Sequence, residues 1–155
     1  MYWLMKSEPE ELSIGDLAAS PRTKFRWDGV RNYQARNMMR DRMRVGDLFF
    51  FAHSSCAVPG VAGIAEIVTE PYPDPTQFDP ASHYFDAGSR VDEPRWVSRD
   101  VRFVEAFATV LALRTLRLHA GELGEFALLR KANRLSVMPV TGEQWLLITR
   151  LAGQA

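Results

Sequence analysis

Trp27-Asp28-Gly29-Val30-Arg31-Asn32-Tyr33-Gln34-Ala35-Arg36-Asn37 places an aromatic ring, a turn glycine, amide side chains and guanidinium groups within eleven residues. Together these suit recognition of something planar and polar beside something anionic. Rings stack on bases, amides read hydrogen-bonding edges, and the guanidinium fork fits a phosphate. The charge setting is uneven. From Arg22 to Arg44 eight basic residues face only Asp28 and Asp41, a net +6 in a chain whose total is zero. Arginine outnumbers lysine there by seven to one, and arginine is the cation with the planar fork. A solvated arginine face explains many such runs, but this density exceeds what solubility needs. Nucleic-acid binding beside an aromatic pocket is favoured over a neutral scaffold.

Other chemistries find less support. The chain has no Gly-x-Gly-x-x-Gly and no phosphate loop ending in Gly-Lys-Ser/Thr, so the usual nucleotide cradles are absent. His53, His83 and His119 form no ligand pair at helical spacing, and the single Cys56 excludes a multi-cysteine zinc site or an internal disulfide. No metal and no cofactor is expected. Ser54, Ser55 or Cys56 beside His53 offers a nucleophile on paper. Adjacent strand residues point to opposite faces, however, so His53 is badly placed to activate Ser54. Lys6 and Glu8 would share a face as an acid-base pair, and a plain salt bridge explains them equally well. No catalytic residue is expected.

The elements that position these groups are short. Tyr2–Met5 reads as a strand, and Ser13 with Asp16 three residues on caps a helix to about Ala19. Ala19–Arg26 reads as a loop. A helix from about Asn32 to Met43 would bury Ala35, Met38, Met39 and Met43 and align Arg36, Arg40 and Arg44 as a ridge. Leu48–Ala52 is apolar on both alternations, a strand buried on both faces. In the strand Gly60–Val68, Gly63 and Ala65 leave room for another backbone or a flat ligand. Pro71–Pro80 reads as a loop, and Trp96–Val104 as a strand running on to Val110. Leu113–Leu118 and Glu122–Leu129 are helix candidates, Arg134–Val140 the last strand, and Trp145–Leu151 a closing helix behind the capping pattern Thr141-Gly142-Glu143-Gln144. About five strands with short helices suggest a mixed barrel, not βαβ units.

The length of 155 residues fits one domain over 1–155, and 46% apolar with 25% charged residues is ordinary for a globular protein. No apolar run reaches the ~20 residues that cross a bilayer. The N-terminus reads as a strand instead of a signal peptide, so a reducing cytoplasm is the expected setting.

Several strings together resemble the EVE domain family. They are Trp3-x-x-Lys6-Ser7-Glu8-Pro9, Trp27 to Asn37, Phe51-x-His53-Ser54, Pro59-Gly60-Val61-Ala62-Gly63, Tyr72 to Phe78, Pro94-Arg95-Trp96 and Arg134 to Pro139. They cover nearly the whole chain in order; Ala81–Glu93 matches only loosely, through Tyr84-Phe85-Asp86. The resemblance implies an α+β, PUA-like fold related to the YTH domains. That is a small, twisted, partly open β-barrel of about five to six strands surrounded by short helices. It implies a cavity that takes a modified base flipped from DNA or RNA, such as 5-methylcytosine, without catalysis. On that footing Trp3 and Trp27 are wall candidates. Ser7, Asn32, His53 and Ser54 are candidates for the base edge, and Val30 and Phe51 for contact with a methyl group. Lys6, Arg31, Arg36 and Arg40 are the phosphate candidates, while Trp96 and Trp145 are assigned to the core. The implied partner is DNA or RNA carrying a modified base, bound by a bacterial, cytoplasmic monomer without membrane contact, with an unidentified effector protein downstream. Two alternatives stay open: a small-molecule or nucleoside sensor, and an accessory or enzyme acting on modified nucleic acid.

Overall fold

Alternation in two central strands decides the architecture. β1 (Tyr2–Ser7) and β3 (Leu48–His53) are apolar on both faces and therefore need a layer on each side. The computed structural model describes residues 1–131 and 133–153. In it Trp3, Met5, Phe49 and Phe51 enter one apolar cluster, whereas Leu4, Phe50 and Ala52 enter another. α1 (Ile14–Ala19) and the segment beginning with α2 (Tyr33–Asn37) close the first cluster through Ile14, Leu17, Ala35, Met38 and Met39. The second is closed by α3 (Leu113–Leu118), α4 (Ala120–Leu123) and α5 (Gly142–Gly153). There Trp145 stacks between Tyr2 at 4.2 Å and Phe50 at 4.0 Å, a core residue as expected.

The remaining strands are β2 (Phe25–Trp27), β4 (Gly60–Ile67), β5 (Tyr72–Pro73), β6 (Val97–Ala112) and β7 (Val137–Val140). They join one curled, mixed sheet in the order β2-β6-β4-β3-β1-β7, with β5 also on β6. This is the α+β, partly open barrel of a PUA-like fold, with seven strands where five or six were expected. β1 and β3 run parallel, Ser7 opposite His53, and residues 8–47 supply the crossover that a parallel pair requires. β7 lies antiparallel on the other side of β1. Two strand ends and one strand start therefore emerge together. The Ser54 amide donates to Ser7 O at 3.0 Å and the Lys6 amide to Ser136 O at 2.8 Å.

Three expectations need correction. Phe25–Trp27 is a strand, not loop, because it pairs antiparallel with Val101–Arg99 of β6. The expected helix Glu122–Leu129 breaks at Gly124, whose φ of +66° no helix accommodates, and resumes only as a 3-10 turn at Ala127–Leu129. At Gly63 the expected room is taken by another backbone, the first of the two alternatives: a Cβ there would lie 2.3 Å from Glu105 O and 2.7 Å from Ile14 Cγ1. The helix expected over Asn32–Met43 is regular only to Asn37. It continues as a π-helical turn, Met38–Arg42, closed by the Met43 amide on Met38 O at 3.0 Å, so Arg36, Arg40 and Arg44 do not form one straight ridge.

Arg99 on β6 accounts for that turn. Its fully buried guanidinium donates to Met39 O at 2.7 Å, Met43 O at 2.9 Å and Thr69 O at 2.8 Å. Carbonyls left over at the end of the helical segment thus find their donor in a side chain. Removing it strands three acceptors at ~1–3 kcal/mol each. Arg99→Met is expected to cost about 3 kcal/mol or more, read as a lower urea midpoint at unchanged slope. Arg102→Met, which breaks a half-exposed ion pair with Glu66 at 3.5 Å, should cost under about 1 kcal/mol. Equal losses would contradict the anchoring role.

Candidate nucleic-acid interface

A cavity of about 490 Å³ opens where β1, β3 and β7 meet, lined by Ser7, Ser54 and Ser136 from these strand ends. That size is within the ~300–1,000 Å³ of small-molecule sites. Its apolar wall comes from Leu12, Trp27 and Val30. Trp27 is only 4% exposed and is held edge-on by Phe49 at 5.5 Å and Phe51 at 5.2 Å. The charged lining is balanced, with Lys6, Arg26 and Arg134 against Glu8, Glu11 and Asp28. A wall of apolar groups, four serine side chains counting Ser55, and no net charge suits a flat, neutral, polar molecule. Ser55 at the mouth is the only non-glycine residue with positive φ (52°) among the described residues, and such backbone often marks a functional site.

The far wall depends on a buried carboxylate. Asp74 is inaccessible to solvent and accepts from the Gly29 amide at 2.8 Å, from Arg31 Nη1 at 3.0 Å, and from the Thr76 amide and hydroxyl at 2.8 and 2.6 Å. Arg31 in turn donates through Nε and Nη2 to Tyr84 O at 3.0 and 2.8 Å. The Tyr84 ring closes over Gly29, where a Cβ would come within 2.5 Å of it, and φ at Gly29 is +78°. The Tyr84 hydroxyl donates to Glu11 Oε2 at 2.5 Å; burial first, then this carboxylate, raise its pKa above the ordinary tyrosine value. Glycine at position 29 is thus required twice, for the turn and for the ring.

Of the candidates read from sequence, Ser7, Trp27, Val30, Ser54 and Lys6 line this cavity. Trp3 and Phe51 do not. Both are fully buried in the barrel cluster, and Trp3 Nε1 donates to Asp47 Oδ2 at 3.0 Å. Asn32 is a helix cap, its Oδ1 accepting from the Ala35 amide at 3.0 Å. Arg31 is committed to Asp74, Thr76 and Tyr84, so its fork is not free for a phosphate. Arg36 and Arg40 lie outside the cavity lining, hydrogen-bonded to Asn37 and Asp41. Arg36 also lies 4.7 Å from the Tyr33 ring, which stacks on Trp96. His53 lines a second, adjoining cavity, and its Nε2 accepts from the Ile14 amide at 3.1 Å. That nitrogen is therefore not available to take a proton from Ser54. Lys6 and Glu8 share the cavity without pairing: Lys6 makes no ion pair among the described residues, and burial lowers its pKa. No group of three or more metal-ligating side chains occurs among the described residues, and none of their helices is long and apolar enough to cross a membrane.

Sequence reasoning missed Leu12, Glu11 and Tyr84 as lining residues. Arg134 and Ser136 were visible only as part of a family string.

Similarity to known proteins runs along nearly the whole chain. The EVE domain model matches residues 1–151. The chain belongs to the EVE domain family. Mouse thymocyte nuclear protein 1 is 42% identical over 166 residues, covering 97% of this chain and 73% of that protein. A Pseudomonas putida protein of known structure is 56% identical with a TM-score of 0.92, covering 98% of this chain and 99% of its own. The human THYN1 protein, solved in complex with DNA containing 5-methylcytosine, is 40% identical with a TM-score of 0.90, covering 97% of this chain and 96% of its own. The cavity of this EVE domain is thus set by a network whose charge can be tested. Burial alone would push the Asp74 carboxyl up; hydrogen bonds from Thr76, the Gly29 amide and Arg31 outweigh it and hold the pKa below the ordinary 3.8. A depressed folded-state pKa stabilises the fold above the unfolded value and loses that stability as pH falls through the folded one. Asp74→Asn should therefore lower the melting temperature at neutral pH and give a shallower loss below about pH 4. Parallel acid limbs for the two proteins would contradict the role of the carboxylate.

Proposed function

We propose that this EVE domain is a non-catalytic reader of a modified cytosine, such as 5-methylcytosine, in DNA or RNA, taking the base out of its stack into the cavity walled by Trp27, Val30 and Tyr84. The observation that carries the reading is the likeness, along nearly the whole chain, to a protein solved with 5-methylcytosine DNA, joined to a cavity of matching chemistry in this chain.

Extruding a base costs a few kcal/mol. Contact with an aromatic wall returns about 1–3 kcal/mol per base, and the Ser54 and Ser136 side chains line the cavity as partners for its polar edge, while Ser7 Oγ, which donates to Leu12 O at 2.8 Å, can offer only an acceptor. Leu12 and Val30 give a methyl group an apolar contact, and burying one CH₂-sized group is worth about 0.8 kcal/mol, roughly a fourfold preference. Discrimination by the methyl group alone is therefore modest, and the rest of the affinity comes from the strand. Arg26, Arg134 and Lys6 at the cavity stand for the nearby sugar-phosphate, with Arg36 and Arg40 contacting phosphates farther along. The exposed thiol of Cys56 suits a reducing cytoplasm, and the Pseudomonas relative suits a bacterial setting. Action as a monomer that signals through an effector protein completes the reading.

Fluorescence anisotropy against matched DNA and RNA oligonucleotides, carrying cytosine, 5-methylcytosine or 5-hydroxymethylcytosine at two salt concentrations, tests it. A preference for one modified base should survive at the higher salt. Val30→Ala should remove roughly a fourfold methyl preference, whereas Arg134→Ala should weaken all strands alike and lower the salt slope by about one phosphate. Affinity for a free nucleoside equal to that for the strand, with no salt dependence, would favour the sensor alternative instead. Trp27→Ala is a poor probe, because its near-complete burial ties it to folding.

A further inference from the structure

The second cavity differs in charge from the first. It has a volume of about 210 Å³ and shares Lys6, Ser54 and Ser55 with its neighbour as a common wall. Its other charged lining groups are Arg117 and Arg130, and among the described residues no carboxylate lines it. Among the described residues Lys6 and Arg117 make no ion pair, and Arg130 reaches only the exposed Glu125 at 3.9 Å. His53 lines the same space. Because its Nε2 accepts from the Ile14 amide, the neutral ring carries its proton on Nδ1 and keeps a donor. Burial disfavours the charged form of both Lys6 and His53, a penalty that an incoming anion would offset for the ammonium. Three cations without an acid among the described residues, in a space less than half the volume of its neighbour, fit a phosphate group. In a strand the phosphate lies one sugar away from its base, and these two cavities are separated only by the residues they share.

We infer that the second cavity binds the backbone phosphate adjoining the base held in the first, with Lys6, Arg117 and Arg130 as its cations. The inference rests on the reader function proposed above. It gives Lys6 a role at the wall common to both spaces, and it orients the strand by fixing where the sugar-phosphate leaves the base cavity.

The test uses the full chain and oligonucleotides with one 5-methylcytosine, in which single linkages are replaced in turn by neutral methylphosphonate. For the wild type, one linkage adjoining the modified base should lose about tenfold in affinity, more than any remote linkage. Arg117 and Arg130 are exposed, so the double variant Arg117→Ala, Arg130→Ala should fold, and in it the same replacement should have little further effect. An equal loss in variant and wild type would overturn the inference, as would a wild type for which no adjoining linkage stands out. The same titrations separate the two claims. Coupling between the linkage and the arginines without any preference for 5-methylcytosine would sink the base reading and keep the phosphate site. Preference without coupling would do the reverse.

Discussion

Asp74 is the constraint on which the site depends. A carboxylate out of contact with water is costly unless its acceptor positions are filled, and here they are filled by groups from the Gly29 turn, Arg31 and Thr76. The pair with Arg31 therefore does more than add attraction. It fixes two loops that follow different strands, and through the two bonds of Arg31 to Tyr84 O it places the ring that closes the cavity. A charge pair of this kind adds little net stability over an apolar substitute, but removing one partner leaves the other charge buried and uncompensated.

The strands supply the other half of the site. Parallel pairing of β1 with β3 brings Ser7 and Ser54 together although 46 residues separate them in sequence, and β7 adds Ser136 from the other side. Arg99 performs the corresponding task behind the cavity, tying the π-helical turn to β6, the strand that pairs with Trp27 and its neighbours. Rigid strand ends carry the polar groups, and two buried side-chain networks hold the loops that complete the walls. Such a division favours a cavity formed before any ligand arrives, with little ordering cost on binding.

Much of this was legible in the sequence. The double-sided strand Leu48–Ala52, the capping box at Ser13 and Asp16, and the bulk of the strands followed from local pattern and capping chemistry. The roles of individual aromatics did not. Trp3 and Trp27 look alike as residues, but a strand buried on both faces gives no signal for which face meets a cavity. Trp3 lies inside the barrel with Asp47 as partner. Arg31 reads as a free phosphate binder until Asp74, 43 residues later, is seen beneath it. Tyr84 belongs to the loosely matching loop, and only its contact with Gly29 reveals its place. The π turn was equally hidden, since its cause is a guanidinium 56 to 60 residues away. Local chemistry specifies elements; long-range hydrogen bonds decide which side chains remain free to act.

The central claim is that the base itself enters the cavity between Trp27, Val30 and Tyr84. A crystal structure of the protein with a DNA duplex containing one 5-methylcytosine tests this most directly. The base is expected outside the helix stack, in that cavity, with its methyl group against Val30 or Leu12 and its polar edge on the serine hydroxyls. A 5-methylcytosine still stacked in the duplex, with the protein touching only phosphates through Arg36 and Arg40, would contradict the account.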